Sequence, residues 1–395
     1  MAKKKEVKNK ANKSKQTKYK KVKKAINGLP DKAKISLAVT AFILVAAFLI
    51  VCYFNPAIYE NFLNLFKEQE ESHISSIVGD DVYVDKLSDV EIHFVDVGQG
   101  DSIVIKLPDE TVMLIDAYND NKLLTYLQNK LKITTIDYFV VTHSDRDHID
   151  AADIIFKNFE VKKVFRPYIL YNGDYDFDLE FNKGNTEANS NVYRDFLTYL
   201  LEETYVDGNE VKSCEWEFFN YESDFSKNIH YQNNKYTFTF DFLTPAAKVE
   251  DIYYGNDTNS YSPIIKFSYC GTDVLFTGDA EAATLDELLS TYTSQDDLNY
   301  LDVEVLKLGH HGSKTSTTTP FLDVVKPEYA IASCGLGNSY GHPHKEVLDM
   351  LSLKNVALYR TDLCGNIVLN ISTEDYEFLL DNNNVLPEDM FTAPS

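Results

Sequence analysis

The longest apolar stretch lies near the start of the chain. Ile35 to Phe54 (ISLAVTAFILVAAFLIVCYF) runs twenty residues without a charge. As a helix it reaches about 30 Å, the thickness of a bilayer's hydrocarbon core. It predicts one transmembrane helix over 35–54. Residues 55–89 open on Asn55-Pro56 and pass through an acidic run at Lys67–Glu71. They read as a stalk carrying a short amphipathic helix through Ile58, Phe62, Leu63 and Phe66. From Val90 onward short apolar runs alternate with helical patterns. Strands are expected at Glu91–Val97, Ser102–Leu107, Val112–Asp116, Asp137–Thr142, Val161–Phe165, Tyr236–Phe242, Ile264–Tyr269, Val274–Thr277, Val303–Leu308, Tyr329–Ala332 and Asn366–Asn370. Helices are expected at Asn121–Leu131, Ala151–Asn158, Val192–Thr204, Ala280–Thr291 and Lys345–Leu353. Strands interleaved with helices predict an α/β layered domain over 90–380, with 381–395 as a C-terminal tail. Residues 168–235 break the rhythm. Rich in aromatic and acidic side chains, they read as an insertion.

Charge divides the 395-residue chain at the apolar stretch. Residues 1–34 hold fourteen lysines against Glu6 and Asp31, a net of +12, whereas the whole chain carries −23. The remainder therefore holds 24 basic and 59 acidic groups, a net of −35. Lysines on one flank of an apolar span place that flank in the cytoplasm and the acidic body outside the cell. No A-x-A site follows Phe54, so an uncleaved signal anchor in the cell membrane is preferred to a cleaved leader. Beside a span, the lysines fit anionic lipid better than a nucleic-acid arm. Five cysteines are scattered without a C-x-x-C pair, which excludes a disulfide scaffold and a cysteine zinc ribbon.

The histidines carry the chemistry. Six of nine fall in three clusters. The first, His143-Ser144-Asp145-Arg146-Asp147-His148, follows the apolar run Val140-Val141 and offers four metal-ligand types within six residues, enough for two ligands on each of two ions. Asp279 leaves an apolar strand at Thr277-Gly278. His310 and His311 stand between Gly309 and Gly312, again where a strand turns. His342 and His344 precede the Lys345–Leu353 helix. Lys307 and Lys314 flank the histidine pair and are candidates for contact with an anionic substrate.

His93–Ile105 (HFVDVGQGDSIVI), the HSDRDH loop, Leu275–Glu281 (LFTGDAE), Leu306–Ser316 (LKLGHHGSKTS) and Asn338–His344 (NSYGHPH) follow one another in order. Together they resemble the metallo-β-lactamase-fold domain at the end of ComEC-type competence proteins. That resemblance spans about Val90 to Leu380 and implies an αββα sandwich with the metal site along one edge. It implies that His143 and Asp145 hold one ion, that Asp147 and His148 hold the other, and that Asp279 bridges them. One or both of His310 and His342 complete the shell, with His311 and His344 nearby as ligand or acid candidates, and Asp147, His342 and His344 are the candidate catalytic groups. Asp101 in the DVGQGD loop is placed to orient a ligand histidine, with His311 and Lys314 nearby.

Two departures matter. Asp145 stands where the wider superfamily has a second histidine, as it does in the ComEC branch. No third-motif histidine lies between His148 and Asp279 except His230, and Asn259-Ser260 takes its place. Carboxylate for imidazole hardens the ligand set, making manganese a rival to zinc for the two divalent ions. Two such cations activate water and stabilise charge on a phosphoryl or carbonyl oxygen. The expectation is a membrane-anchored, outward-facing hydrolase of an anionic phosphodiester, with nucleic acid among the substrates the resemblance implies. A body of −35 net charge opposes diffuse attraction to polyphosphate, so a small phosphodiester, ester or lactone stays open. The alternative is a non-catalytic protein on this fold whose 168–235 aromatics receive a protein partner.

Overall fold

The computed structural model describes residues 80–208 and 210–394. The lysine-rich segment, the apolar span and most of the stalk lie outside them. Among the described residues no helix is long and apolar enough to cross a membrane.

Two eight-stranded sheets face one another. The first runs, in spatial order, Asp80–Tyr83, Phe225–Tyr231, Asn234–Phe242, Ile265–Tyr269, Thr272–Phe276, Val305–Lys307, Tyr329–Ala332 and Ala357–Arg360. Its last four strands are parallel. The second runs Glu215–Phe218, Glu160–Arg166, Thr135–Val140, Val112–Ile115, Ile103–Lys106, Val90–Phe94, Ile367–Ile371 and Tyr376–Leu380. Its first four strands are parallel. Period-two alternation divides the second sheet's side chains between two cores. Ile92, Ile103, Ile105, Met113 and Ile115 enter the core between the sheets, which extends to the helices Ala282–Thr291, Thr319–Val325 and Lys345–Leu353. Val104, Leu114 and Phe139 face a second core beneath Asp120–Thr125, Ala152–Asn158 and Asn191–Glu202. The result is a mixed α/β sandwich with helices on both outer faces.

Three expected boundaries shift. Asp80–Tyr83, placed in the stalk, pairs in parallel with Phe225–Tyr231, so the sheet begins before Val90. The segment 168–235 is no detached insertion. It supplies a strand to each sheet, and Phe177, Phe181, Tyr193, Phe196 and Phe219 are buried. Most of its aromatics pack into or against the core, with Tyr175 and Tyr221 exposed. The tail also folds back. Buried Arg360 donates to the carbonyls of Met390 (3.2 Å) and Thr392 (2.6 Å), pinning residues 390–392.

Candidate metal centre

Loops at the carboxyl ends of parallel strands converge at one edge of the sandwich, where α/β sheets generally place ligands. After Thr135–Val140 come Val141 and Thr142, and the HSDRDH loop follows. Thr272–Phe276 leads into Gly278 and Asp279, Val305–Lys307 into the paired histidines, and Tyr329–Ala332 into the 333–344 loop.

Each buried histidine is held by Nδ1. His148 Nδ1 lies 2.7 Å from Asp116 Oδ2, and His311 Nδ1 lies 2.9 Å from the Ser333 carbonyl. Both partners only accept, so both rings carry a proton on Nδ1, and in the neutral form Nε2 is the lone pair. His143 Nδ1 sits 3.0 Å from the Thr142 hydroxyl and 3.2 Å from that of Ser262. The Thr142 proton is already given to Asp116 (2.7 Å), which leaves that oxygen free to accept from His143. The three Nε2 atoms, with Asp279 Oδ1 and Asp101 Oδ1, are buried without a hydrogen-bond partner among the described residues. His148 Nε2 faces Asp279 Oδ1 at 3.2 Å but out of hydrogen-bonding alignment. His311 Nε2 stands 3.4 Å from Asp147 Oδ2 and 3.7 Å from Asp279 Oδ2. A cluster of orphaned lone pairs around a buried carboxylate is costly unless a cation completes it. Asp101, His148, Asp279 and His311 bring ligand atoms within 4.8 Å of one another. The donor set thus fits a metal ion.

Charge in the cluster is arranged accordingly. Burial acts against the ionised Asp279 carboxylate, but His148 and His311 outweigh it and hold its pKa well below the usual range. Asp147 is held at about 2 against burial, chiefly by His311 and His148. The Asp279 and Asp116 carboxylates lift His148 well above its ordinary value despite burial. Burial also opposes charge on His311, yet Asp279, Asp101 and Asp147 raise it to about 9. Burial first, and His148 next, lowers His143. Burial lowers His342 to about 4, with His311, His310 and His344 adding to it. Without a cation, His148 and His311 take up the positive charge, so metal binding should release protons.

The expected residues gather at this edge. His311, expected near the shell as a ligand or acid candidate, is the buried member of the pair. His310, expected as a ligand, lies at the rim. Its Nδ1 meets Glu281 (3.2 Å) and its Nε2 is 3.7 Å from Asp279. The backbone explains this, because His310 (φ 47°) and His311 (φ 56°) are both left-handed and send adjacent rings in different directions. Asp145 accepts from Thr258 (2.7 Å) at the margin. Asp101 Oδ1 sits 3.4 Å from His311 Nδ1, outside the hydrogen bond that ring makes to the Ser333 carbonyl. Lys307 is no substrate contact. Fully buried, it pairs with Asp101 Oδ2 at 2.8 Å. Lys314 is exposed, reaching toward Glu346, while its N–H donates to His344 Nδ1 (3.2 Å). His342 is buried beside Gln99, whose Nε2 is 3.4 Å from its Nδ1.

Two residues escaped the sequence reading. Asp116 accepts from the Thr142 N–H (2.8 Å) and the Thr142 hydroxyl as well as holding His148. It ends an apolar strand, the same signal that marked Asp279. Ser262 accepts the Asp279 N–H (3.1 Å) and lies 3.2 Å from His143 Nδ1, and no local pattern marks it.

Residues 95–217 match the model of the metallo-beta-lactamase superfamily. ComE operon protein 3 of Bacillus subtilis (strain 168) is 26% identical over 300 residues, covering 71% of this chain and 33% of that protein. Competence protein ComA of Neisseria gonorrhoeae is 37% identical over 126 residues, 32% of this chain and 17% of its own length. Recombination protein 2 of Haemophilus influenzae is 25% identical over 256 residues, 65% of this chain and 25% of its own. The chain thus spans a third or less of each of these relatives. Among solved structures, the metallo-beta-lactamase fold protein YhfI from Bacillus subtilis aligns with a TM-score of 0.39 at 10% identity, over 71% of this chain and 99% of that one.

Proposed function

Because the chain carries a metallo-β-lactamase domain of the ComEC type, we propose that it is a metal-dependent hydrolase of a phosphodiester, anchored in the membrane by residues 35–54 with the acidic body outside. One observation carries the reading: His148 and His311, buried and fixed through Nδ1, present unpartnered Nε2 atoms 3.2 and 3.7 Å from the Asp279 carboxylate, and the Nε2 of His143 is likewise buried without a partner. In this reading His143 and Asp145 would hold one divalent ion, and Asp147, His148 and His311 a second, with the Asp279 carboxylate available to either. The ions, zinc or manganese, supply an activated water and stabilise charge on the phosphoryl oxygens.

The chain's own residues do the positioning. Asp116 fixes the His148 tautomer, Ser333 that of His311, and the Asp101–Lys307 pair backs His311, the arrangement that raises ligand basicity. His344 accepts the Lys314 N–H on Nδ1, so its proton sits on Nε2. That nitrogen is our candidate donor to the leaving oxygen, with His342 behind it at 4.7 Å between ring centres. Three aspartates beside three histidines make a set hard enough for manganese to compete with zinc.

The test uses the purified full chain, loaded with manganese or zinc and assayed on single-stranded DNA, bis-p-nitrophenyl phosphate and a lactone. Asp147→Ala and Asp279→Ala should each reduce turnover by about 100-fold or more. Turnover that survives both substitutions overturns the site. A native preparation with fewer than about 0.2 metal ions per chain argues against a resident centre.

A further inference from the structure

Residues 335–341 form a loop at the mouth of the centre whose two largest side chains are turned to solvent. Leu336 is 81% exposed and Tyr340 is 65% exposed. The loop is firmly braced. The Asn338 side chain donates to the carbonyls of Gly335 (2.9 Å) and His342 (2.7 Å) and accepts the His342 N–H (2.9 Å). Gly335 N–H donates to Gln99 Oε1 at 3.0 Å, tying the loop to the glycine-rich segment at 98–100. These four hydrogen bonds fix the loop's course, and with it the outward placement of Leu336 and Tyr340.

Its position says what it contacts. The Tyr340 ring stacks on His342 at 5.7 Å and 25°, and His342 lies 5.3 Å from His310 and 6.2 Å from His311. A second partly exposed tyrosine, Tyr118, lies on the Asp147 side. A Cβ on Gly100 would meet its ring at 2.4 Å and the Asp147 carbonyl at 2.4 Å. Two aromatic side chains, Tyr340 and Tyr118, thus border the centre. Nearby cations offer a phosphate chain little, since Lys314 reaches toward Glu346 and Arg146 pairs with Asp150 at 2.8 Å. In a body of −35 net charge, a ligand must be gripped by something indifferent to charge. Stacking on a nucleobase meets that need, because every base has a π face.

We propose that Tyr340, with Leu336 on the same loop, is the stacking platform that seats an unpaired base next to the scissile phosphate of a single-stranded nucleotide chain. The proposal rests on the phosphodiesterase reading of the same site. It makes Tyr340 the residue that selects substrates bearing an accessible base over bare phosphodiesters.

The test is an equilibrium titration of the full chain in EDTA, by fluorescence anisotropy, with two labelled probes. One is an oligothymidylate of about twelve nucleotides, and the other is the same backbone without bases. Both carry the same phosphates, so the lysine-rich segment attracts them equally and cancels from the comparison. The parent should prefer the base-bearing probe by about 5- to 150-fold, the equilibrium equivalent of one stacked base. Tyr340→Ala and Tyr340→Leu should lose most of that preference, and Tyr340→Phe should keep it. A preference unchanged in Tyr340→Ala and Tyr340→Leu, or absent from the parent, overturns the platform. Turnover of bis-p-nitrophenyl phosphate by the metal-loaded parent is scored separately. If it persists while the base preference is missing, the platform fails and the hydrolase stands. A base preference without turnover gives the reverse.

Discussion

Asp116 shows how much one side chain can decide. At φ 58° it occupies a left-handed conformation that aspartate tolerates better than most residues, and this turns its carboxylate under the HSDRDH loop. From there it fixes Thr142 and His148 together. Asp116→Asn keeps the shape but allows an N–H to face His148 Nδ1, which favours the wrong tautomer. Metal affinity, measured by titration of the chelator-stripped protein, should fall about 10- to 100-fold with little change in far-UV circular dichroism. Asp224 makes a different point at the same scale. Burial, with Asp241 adding to it, raises its pKa from 3.8 to about 7, although it accepts the Phe242 N–H at 2.6 Å. The folded chain thus keeps a proton that the unfolded chain releases, and stability falls as pH rises from about 4 to about 7. Asp224→Asn should raise the melting temperature at pH 8, with the gain shrinking as pH is lowered through 7.

Among the elements, the turn Gly309–Gly312 is the most constrained. Two consecutive left-handed histidines are followed by Gly312 at φ 89°, where an added Cβ would lie 2.7 Å from the Pro343 side chain. Gly312→Ala should destabilise by about 1–3 kcal/mol in denaturant unfolding and displace His311. Elements were legible in the sequence where burial was legible. Val90–Phe94 and Ile265–Tyr269 bury nearly every residue, and their apolar runs announced them. Phe225–Tyr231 buries only Ile229, and the Thr204–Asp207 and Glu210–Ser213 hairpin buries none, so no alternation betrayed them. Each pairs with the next strand in sequence, so backbone ladders rather than buried side chains make them strands, and a hydrophobic pattern does not record that.

For the whole molecule, the centre belongs to two sheets at once. His143, His148 and Asp101 come from one sheet's loops, and Asp279, His311 and His342 come from the other's. A bound cation should therefore clamp the halves together. Manganese or zinc at about 100 times its Kd should stabilise the fold by about 2.7 kcal/mol relative to EDTA, an increment that Asp279→Ala abolishes. Equal melting temperatures with and without metal would count against the centre.

The sequence by itself determined the layered α/β class, the strand ends where chemistry collects, and the acid-rich histidine motifs, because alternation and residue type are local properties. Tertiary structure alone decided that His311 rather than His310 points inward and that Lys307 is buried against Asp101. It also turned the aromatic segment into core. Each depends on partners far apart in the chain, Ser333 with His311, Asp101 with Lys307 and Ser262 with His143, which become neighbours only when the two sheets close.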